Sequence, residues 1–309
     1  MKLSQAIEEF IKEEIVRGST SSTIDHYRRQ LKPFLNFYTD KDVQGITYKV
    51  YQEYILYLKA KNKESSGFEN RNVRLSSRTV KTYASALKTF LIYAYEHKFI
   101  KKNIGLEIKM PRYKKKVIEI LNMKQINILI SSFDRKTFNG SRDLLIVSIM
   151  LDAGARLSEV SKLNKSDFNF EERTIKLDGK GQKERFVPLT SFIESAYKIY
   201  FYKYYDTFHK ELKDDDILIR TQNDEPATKN TISLIFRRLR KKFNFNIYPH
   251  LLRHTFATWF LLNGGDIVTL QIILGHTTLN MVLNYLHLAN QINMSMKMQY
   301  TPLSNIKRT

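Results

Sequence analysis

Over the first 105 residues, apolar side chains return every three or four positions, segment after segment, which is the spacing an amphipathic helix needs. Ile7, Phe10, Ile11 and Ile15 mark the first such face, and Gly18 stops it. Ser22 followed by Asp25 predicts a capping box for the next helix, which carries Ile24, Tyr27, Leu31, Phe34 and Phe37. Pro33 lies inside that run and predicts a kink or an early end. A third helix is expected from about Thr47, with Val50, Tyr54 and Leu58 on one side. Residues 61–76 are polar and read as a loop. A fourth helix is expected over 77–97, with Val80, Tyr83, Leu87, Phe90, Leu91 and Ala94 as its buried stripe. Residues 1–105 thus predict a small helical domain, and the basic, Pro111-containing stretch 106–117 predicts a linker.

The pattern changes after residue 118. Helices are expected near 123–132 and 141–153, the second ended by Gly154, with a short helix starting at Leu157. Three strand candidates follow, at 168–170, 174–177 and 185–189. The turn-rich Asp178-Gly-Lys-Gly-Gln joins the last two as a hairpin. Helices resume near 190–207, 230–243, 251–263, 267–274 and 279–287, and residues 288–309 form a polar, Met-rich tail. The fold class is therefore mainly α, with a small hairpin or three-stranded sheet confined to a C-terminal domain over 118–309.

Charge narrows the choice of partner. The 309 residues carry a formal net charge of +20, and residues 71–117 alone hold thirteen Lys/Arg against two Asp/Glu. Arg71, Arg74, Arg78 and Lys81 open that stretch, and Arg112 and Lys114 close it; Arg237, Arg238 and Lys241 belong to a second cluster. Each cluster alone reads equally well as a solvated helix face. Two clusters in different parts of the chain favour a phosphate-contacting surface and a double-stranded nucleic acid partner. The absence of cysteine excludes a disulfide scaffold, a thiolate metal site and a thiol nucleophile. No apolar run approaches the roughly 18 residues of a membrane span, and acids interrupt the N-terminal segment where a signal peptide needs a clean apolar stretch. A basic cytoplasmic protein is the expectation, with no cofactor and no metal.

Five features stand out in order along the second part: Gly154-Ala-Arg156 with Glu159 three residues on, Lys180 within the hairpin turn, His250-Leu-Leu-Arg253-His254, Gly275-His276, and Tyr285 with His287 two residues later. Singly, each has an ordinary explanation. Arg156 and Glu159 suit a helix-face ion pair, Lys180 a turn lysine, and Gly275 a helix C-cap. Most tyrosines are core or interface residues.

Together, in this order and spacing, they resemble the tyrosine site-specific recombinases of the phage integrase family, and the resemblance covers nearly the whole chain. It implies a SAM-like helical core-binding domain followed by a tyrosine-recombinase catalytic domain. It maps the family's active site onto Arg156, Lys180, His250, Arg253, His276 and Tyr285, the last nine residues after His276. Pro188, Leu189 and His287 also fit, whereas 277–284 is a looser match. The resemblance implies that Tyr285 attacks a DNA phosphodiester, leaving a 3′-phosphotyrosyl bond and a free 5′-hydroxyl. Arg156, Arg253 and His276 stabilise the charge built on the non-bridging oxygens. Nearby cations favour the Tyr285 phenolate, whose ordinary pKa is ~10. His250 is the expected base or orienting group, and Lys180 the acid for the leaving oxygen. His254, read as pointing about 100° away from Arg253 around the helix, is expected to be structural.

The partners implied are duplex recombination sites gripped as a clamp. Monomers in solution form a homotetramer that passes through a Holliday junction, the tail of each docking on a neighbour, with an accessory excision factor or partner recombinase. Integration and excision of a mobile element compete with Xer-like dimer resolution. The start of the chain so near the helical domain favours an Xer-like size; the 61–76 loop and the looser 277–284 segment favour a mobile element. Two further readings are a non-catalytic DNA-binding regulator and a type IB topoisomerase. The charge suits the first, and the Arg/Lys/Tyr logic suits the second.

Overall fold

The computed structural model describes residues 1–61, 74–113, 118–179 and 184–296, with side chains through 293. The chain divides into two compact units, Met1–Lys116 and Val117–Thr309.

The first unit is helical: α1 (Leu3–Val16), α2 (Ser21–Tyr38), α3 (Tyr48–Ala60), α4 (Ser77–Glu96) and the single-turn α5 (Ile104–Glu107). Its core follows the apolar stripes of the sequence except at Ile15, which is exposed, with Phe10 meeting Tyr27, Phe90 and Tyr93 at ring separations of 5.0, 5.9 and 5.2 Å. Three expectations change. The α2 cap is Thr20, whose hydroxyl accepts from the Thr23 N–H at 3.3 Å, so the helix starts before the expected Ser22/Asp25 box. The helix then runs through Pro33 to Tyr38, held by burial of Leu31 and Phe34 on either side of the proline. The expected linker also begins too early. Ile104 and Ile108 are buried in this core, and the Tyr51 hydroxyl donates to the Lys109 carbonyl at 3.3 Å, so packed chain continues past residue 105.

The second unit is built around α7 (Phe138–Asp152), in which ten of fifteen residues are buried, and α9 (Ser191–Phe208) packs along it. Around this pair stand α6 (Met123–Ser131), the short α8 (Leu157–Val160), α10 (Lys229–Lys242), α11 (Pro249–Leu262), α12 (Ile267–Leu274) and α13 (Asn280–Met296). The last helix runs well beyond the expected 287, so part of the supposed tail is helical. Strands β1 (Phe168–Asn169), β2 (Thr174–Asp178) and β3 (Glu184–Pro188) form an antiparallel sheet in the order β1-β2-β3. Ile175 pairs with Val187, and Leu177 with Arg185. Alternation along β3 puts Arg185 and Val187 on the buried side and leaves Phe186 outside. An arginine therefore holds a position that this pattern ordinarily gives to an apolar residue.

A smaller cluster packs α11, α12 and α13 through Ala257, Leu261, Leu270, Leu274, Val282, Tyr285 and Ala289. Among the described residues, no helix is long and apolar enough to cross a membrane.

Candidate active site

Two glycines in the left-handed region shape the site. Gly154 (φ 63°) turns the chain after α7, where a Cβ would lie 2.5 Å from the Phe256 ring. Gly275 (φ 62°) ends α12, where a Cβ would lie 3.0 Å from Arg185 Cδ. Each turn brings helix-end carbonyls to the same place, and such carbonyls need donors. Arg253 supplies them. It is 3% exposed, donating from Nη1 to the Gly154 carbonyl at 2.5 Å and from Nη2 to the Leu274 carbonyl at 2.6 Å. Its Nη2 also lies 3.1 Å from His276 Nε2. The fixed fork of a guanidinium thus ties the ends of α7 and α12 together, at the negative ends of two helix dipoles. Burial, then Arg156, lowers the Arg253 pKa to about 9, which leaves it cationic at neutral pH.

Arg156 precedes α8. Its Nη1 donates to Glu159 Oε1 at 2.7 Å, and its backbone N–H donates to Glu159 Oε2, also at 2.7 Å. The ion pair of the two was legible from their spacing. A second cation was not. Arg185 reaches from β3 to the same carboxylate with Nη1 and Nη2, both at 2.8 Å, and its Nε donates to the Ile273 carbonyl at 2.6 Å. Burial raises the pKa of Glu159, but the hydrogen bonds and charge of Arg185, with those of Arg156, outweigh it and hold the carboxyl below its usual range. Arg185 and Glu159 therefore brace Arg156 and the turn leading to His276 as one charged network.

His276 follows the α12 cap. A guanidinium only donates, so His276 Nε2 accepts from Arg253 and the ring proton sits on Nδ1, which is buried and has no hydrogen-bond partner among the described residues. Burial, then Arg253 and Arg156, lowers its pKa to about 4, so the ring is neutral.

Tyr285 comes from α13 and is 5% exposed. Burial pushes its hydroxyl above the ordinary phenol value, and the opposing pull of Arg253 and Arg156 does not overcome it. The cations were expected to favour the phenolate; here the cost of burying a charge is larger, and the phenol keeps its proton.

The partner of that phenol is the other departure. His254, expected to be structural, places Nδ1 2.8 Å from Tyr285 Oη, with ring centroids 5.5 Å apart. His250, the expected base, lies one turn earlier, exposed, its ring 6.3 Å from that of His254. Its pKa is lowered by what burial it has, then by Arg253 and Arg156. The sequence did hold the signal for His254. His254, Ala257 and Leu261 form one stripe of α11, and Val282, Tyr285 and Ala289 the facing stripe of α13. Counting from that stripe, not from Arg253, points His254 at the tyrosine.

Lys180, Arg71 and Lys114 lie outside the described residues. Arg74, Arg78 and Arg112 are exposed, and half-buried Lys81 sits 4.9 Å from the centre of the Tyr113 ring. In the second unit, Arg237, Arg238 and Lys241 are exposed on α10 and line a cleft of about 560 Å³ with Asn139, Thr221 and Thr231. Among the described residues, no group of three or more His, Asp or Glu is placed to hold a metal ion.

Residues 119–291 match the profile of the phage integrase family, and residues 2–110 match the phage integrase SAM-like domain. The chain is 28% identical over 280 residues to tyrosine recombinase XerC of Bacillus pumilus, covering 89% of each. It shares the fold of the Tn1549 transposon integrase in complex with transposon right end DNA (TM-score 0.72, 20% identity, 96% and 99% of the two chains). It also shares that of a lambda integrase tetramer bound to a Holliday junction (TM-score 0.69, 16% identity, 90% and 78%).

Proposed function

Because the chain belongs to the phage integrase family and is a tyrosine recombinase, a DNA strand-exchange enzyme, we propose that Tyr285 is its nucleophile and that the pocket around Arg253 is where the scissile phosphate reacts. The observation that carries this reading is the convergence of five segments on one point. The Gly154 turn, β3, α11, the end of α12 and α13 bring Arg156, Arg253, His276 and Tyr285 together. Three of the five N–H groups of Arg253 are used by the protein, and two remain for the phosphate.

In the reaction, Tyr285 Oη gives its proton to a histidine of α11 and bonds to phosphorus as the bond to the 5′-oxygen breaks. Lys180 gives that oxygen a proton. Arg156 and Arg253 take the charge that grows on the non-bridging oxygens, His276 orients the Arg253 guanidinium through Nε2, and His250 completes the donor lining. The donors are preorganised by the protein, so little rearrangement accompanies the developing charge. The 3′-phosphotyrosyl ester conserves the bond energy for religation, so strand exchange needs no high-energy cofactor. DNA is gripped by the basic surfaces of both units, and four copies act on two synapsed sites through a Holliday junction, the assembly in which the lambda integrase was solved.

The biological role proposed is integration and excision of a mobile element, a reading supported by the polar 61–76 stretch of the sequence, most of which lies outside the described residues, and by the divergent 277–284 segment. The second reading, Xer-like dimer resolution, is supported by the XerC relative, matched over 89% of its length. Sequencing the junctions made when the protein acts on its own genomic flanks separates the two. For the chemistry, a nicked suicide duplex traps a covalent protein–DNA adduct with the wild type and none with Tyr285→Phe. An adduct in the Phe variant makes Tyr285 the wrong nucleophile.

A further inference from the structure

We propose that His254, which lies outside the residues matched to the family's active site, is a catalytic residue that receives the Tyr285 proton in cleavage and returns it in ligation. The inference deepens the reading of Tyr285 as nucleophile and rests on it. Its basis is contact with a reacting atom: His254 Nδ1 is 2.8 Å from Tyr285 Oη, within the reach required of a general base. The placement is built into the packing. His254 continues the Ala257–Leu261 stripe of α11, and Tyr285 sits between Val282 and Ala289 on the facing stripe of α13. Both helices hold the two side chains against one another through a buried apolar seam.

The protonation states suit the transfer. Burial, then His250, then Arg253, lowers the His254 pKa to about 4, so its imidazole is neutral. Burial keeps the phenol protonated as well. In the tautomer that carries its ring proton on Nε2, His254 Nδ1 accepts from the phenol O–H, which is the arrangement the proposed transfer requires. The groups facing His254 are His250 and Arg253 on its own helix and Tyr285 on α13. An anionic phosphate seated against Arg253 offsets one of the charges that weaken His254 as a base. Its basicity then rises when the substrate is in place. In cleavage the Oη–H bond breaks, the proton passes to His254 Nδ1, the Oη–P bond forms and the bond from phosphorus to the 5′-oxygen breaks, that oxygen taking a proton from Lys180. Ligation reverses each transfer, and no external oxidant, reductant or cofactor enters the balance.

The test uses the full-length protein on the nicked duplex that gives the wild-type adduct, with cleavage followed in a single turnover. His254→Ala is expected to slow adduct formation by about 10²-fold or more, with duplex affinity within about threefold of wild type, an allowance for a group that does not touch the phosphate. 3,5-Difluorotyrosine at position 285 has a more acidic phenol and less need of a base. It is expected to recover at least about tenfold of the loss in the His254→Ala background, as the Brønsted relation for proton transfer requires. A purely structural role moves the wild-type and fluorinated proteins alike. If His254→Ala melts early, His254→Gln is read instead: it offers an acceptor but cannot carry the proton, and an equal loss supports the proposal. Cleavage by a folded His254 variant within about threefold of wild type overturns it, since a base in flight contributes far more, and so does a deficit that fluorination leaves unchanged. An adduct that persists in Tyr285→Phe defeats the nucleophile reading itself. A normal Tyr285 adduct with indifferent His254 variants defeats only this one.

Discussion

The cations of the pocket and the cations of α10 carry the same charge in opposite circumstances. Arg253 and Arg185 are 3% and 8% exposed, and each is fixed by at least two protein acceptors before any DNA arrives. Arg237 and Lys241 stand in water, and Arg238 has only a 3.5 Å approach to Asp143. A buried guanidinium held by carbonyls has its direction set, and its field acts in a poorly screened medium. A surface guanidinium can follow a phosphate wherever it lies, but salt competes with it. On the proposed reading, the first set serves the chemistry and the second the grip. It also says which measurement each should disturb.

The largest effect that separates the two sets should come from Arg253→Lys. One ammonium cannot span the Gly154 and Leu274 carbonyls and still present two donors to a phosphate. Single-turnover cleavage should fall by about 10²–10³-fold, while binding of intact duplex, carried mainly by surface contacts, changes little. Cleavage by this variant within about tenfold of wild type would mean that Arg253 only joins helices, since a transition-state donor is worth more.

How much of this could be read in the sequence follows the same division. Arg156, Arg253, His276 and Tyr285 stand out in the sequence only through their joint resemblance to the family, and the helix ends beside them leave marks such as Gly154 and Gly275. Most helices of both units are legible in the sequence, but the single-turn α5 and the last turns of α13 are not. The Arg185–Glu159 pair is not, because the partners are 26 residues apart and meet only when the sheet packs through β2 on α8 and through β3 on α12. His254 was missed for a different reason. The α11–α13 seam, and not its angle from Arg253 along the helix, decides where it points. Pro33 and the cap at Thr20 show the remaining limit: the helix does not end at the proline, and a cap two residues earlier displaces the expected box.

A smaller effect should mark the grip. Replacing Arg237, Arg238 and Lys241 together by Ala removes three exposed cations from one cleft. Duplex affinity should weaken across sequences, and the slope of log affinity against log salt should become shallower by up to about 3. Adduct formation at saturating DNA should stay within about threefold of wild type, because surface phosphate contacts position the duplex and do not act on the bond being broken. An unchanged salt slope would place the DNA elsewhere on the second unit.

The smallest effect belongs to the histidines, and it sharpens the comparison because it concerns folding with no DNA present. His254 and His276 have pKa values of about 4 in the folded protein, against ~6.5 in an unfolded chain. Between these values the unfolded chain binds protons that the folded one refuses. Their contribution to stability is thus complete above pH ~6.5 and is lost as pH falls toward about 4. Both rings keep some access to solvent, so the full linkage value does not apply. A fall in melting midpoint on the order of 2–4 °C over that window is expected, the size of a ~1 kcal/mol change in a unit of this length. His254→Gln removes one of the two titrating rings and should flatten the dependence, whereas the α10 triple variant should leave it as in the wild type. A wild-type midpoint that holds constant from pH 7 to pH ~4.5 would show that these imidazoles titrate as they do in water, and that the pocket is far more open than the burial of Arg253 and Tyr285 implies.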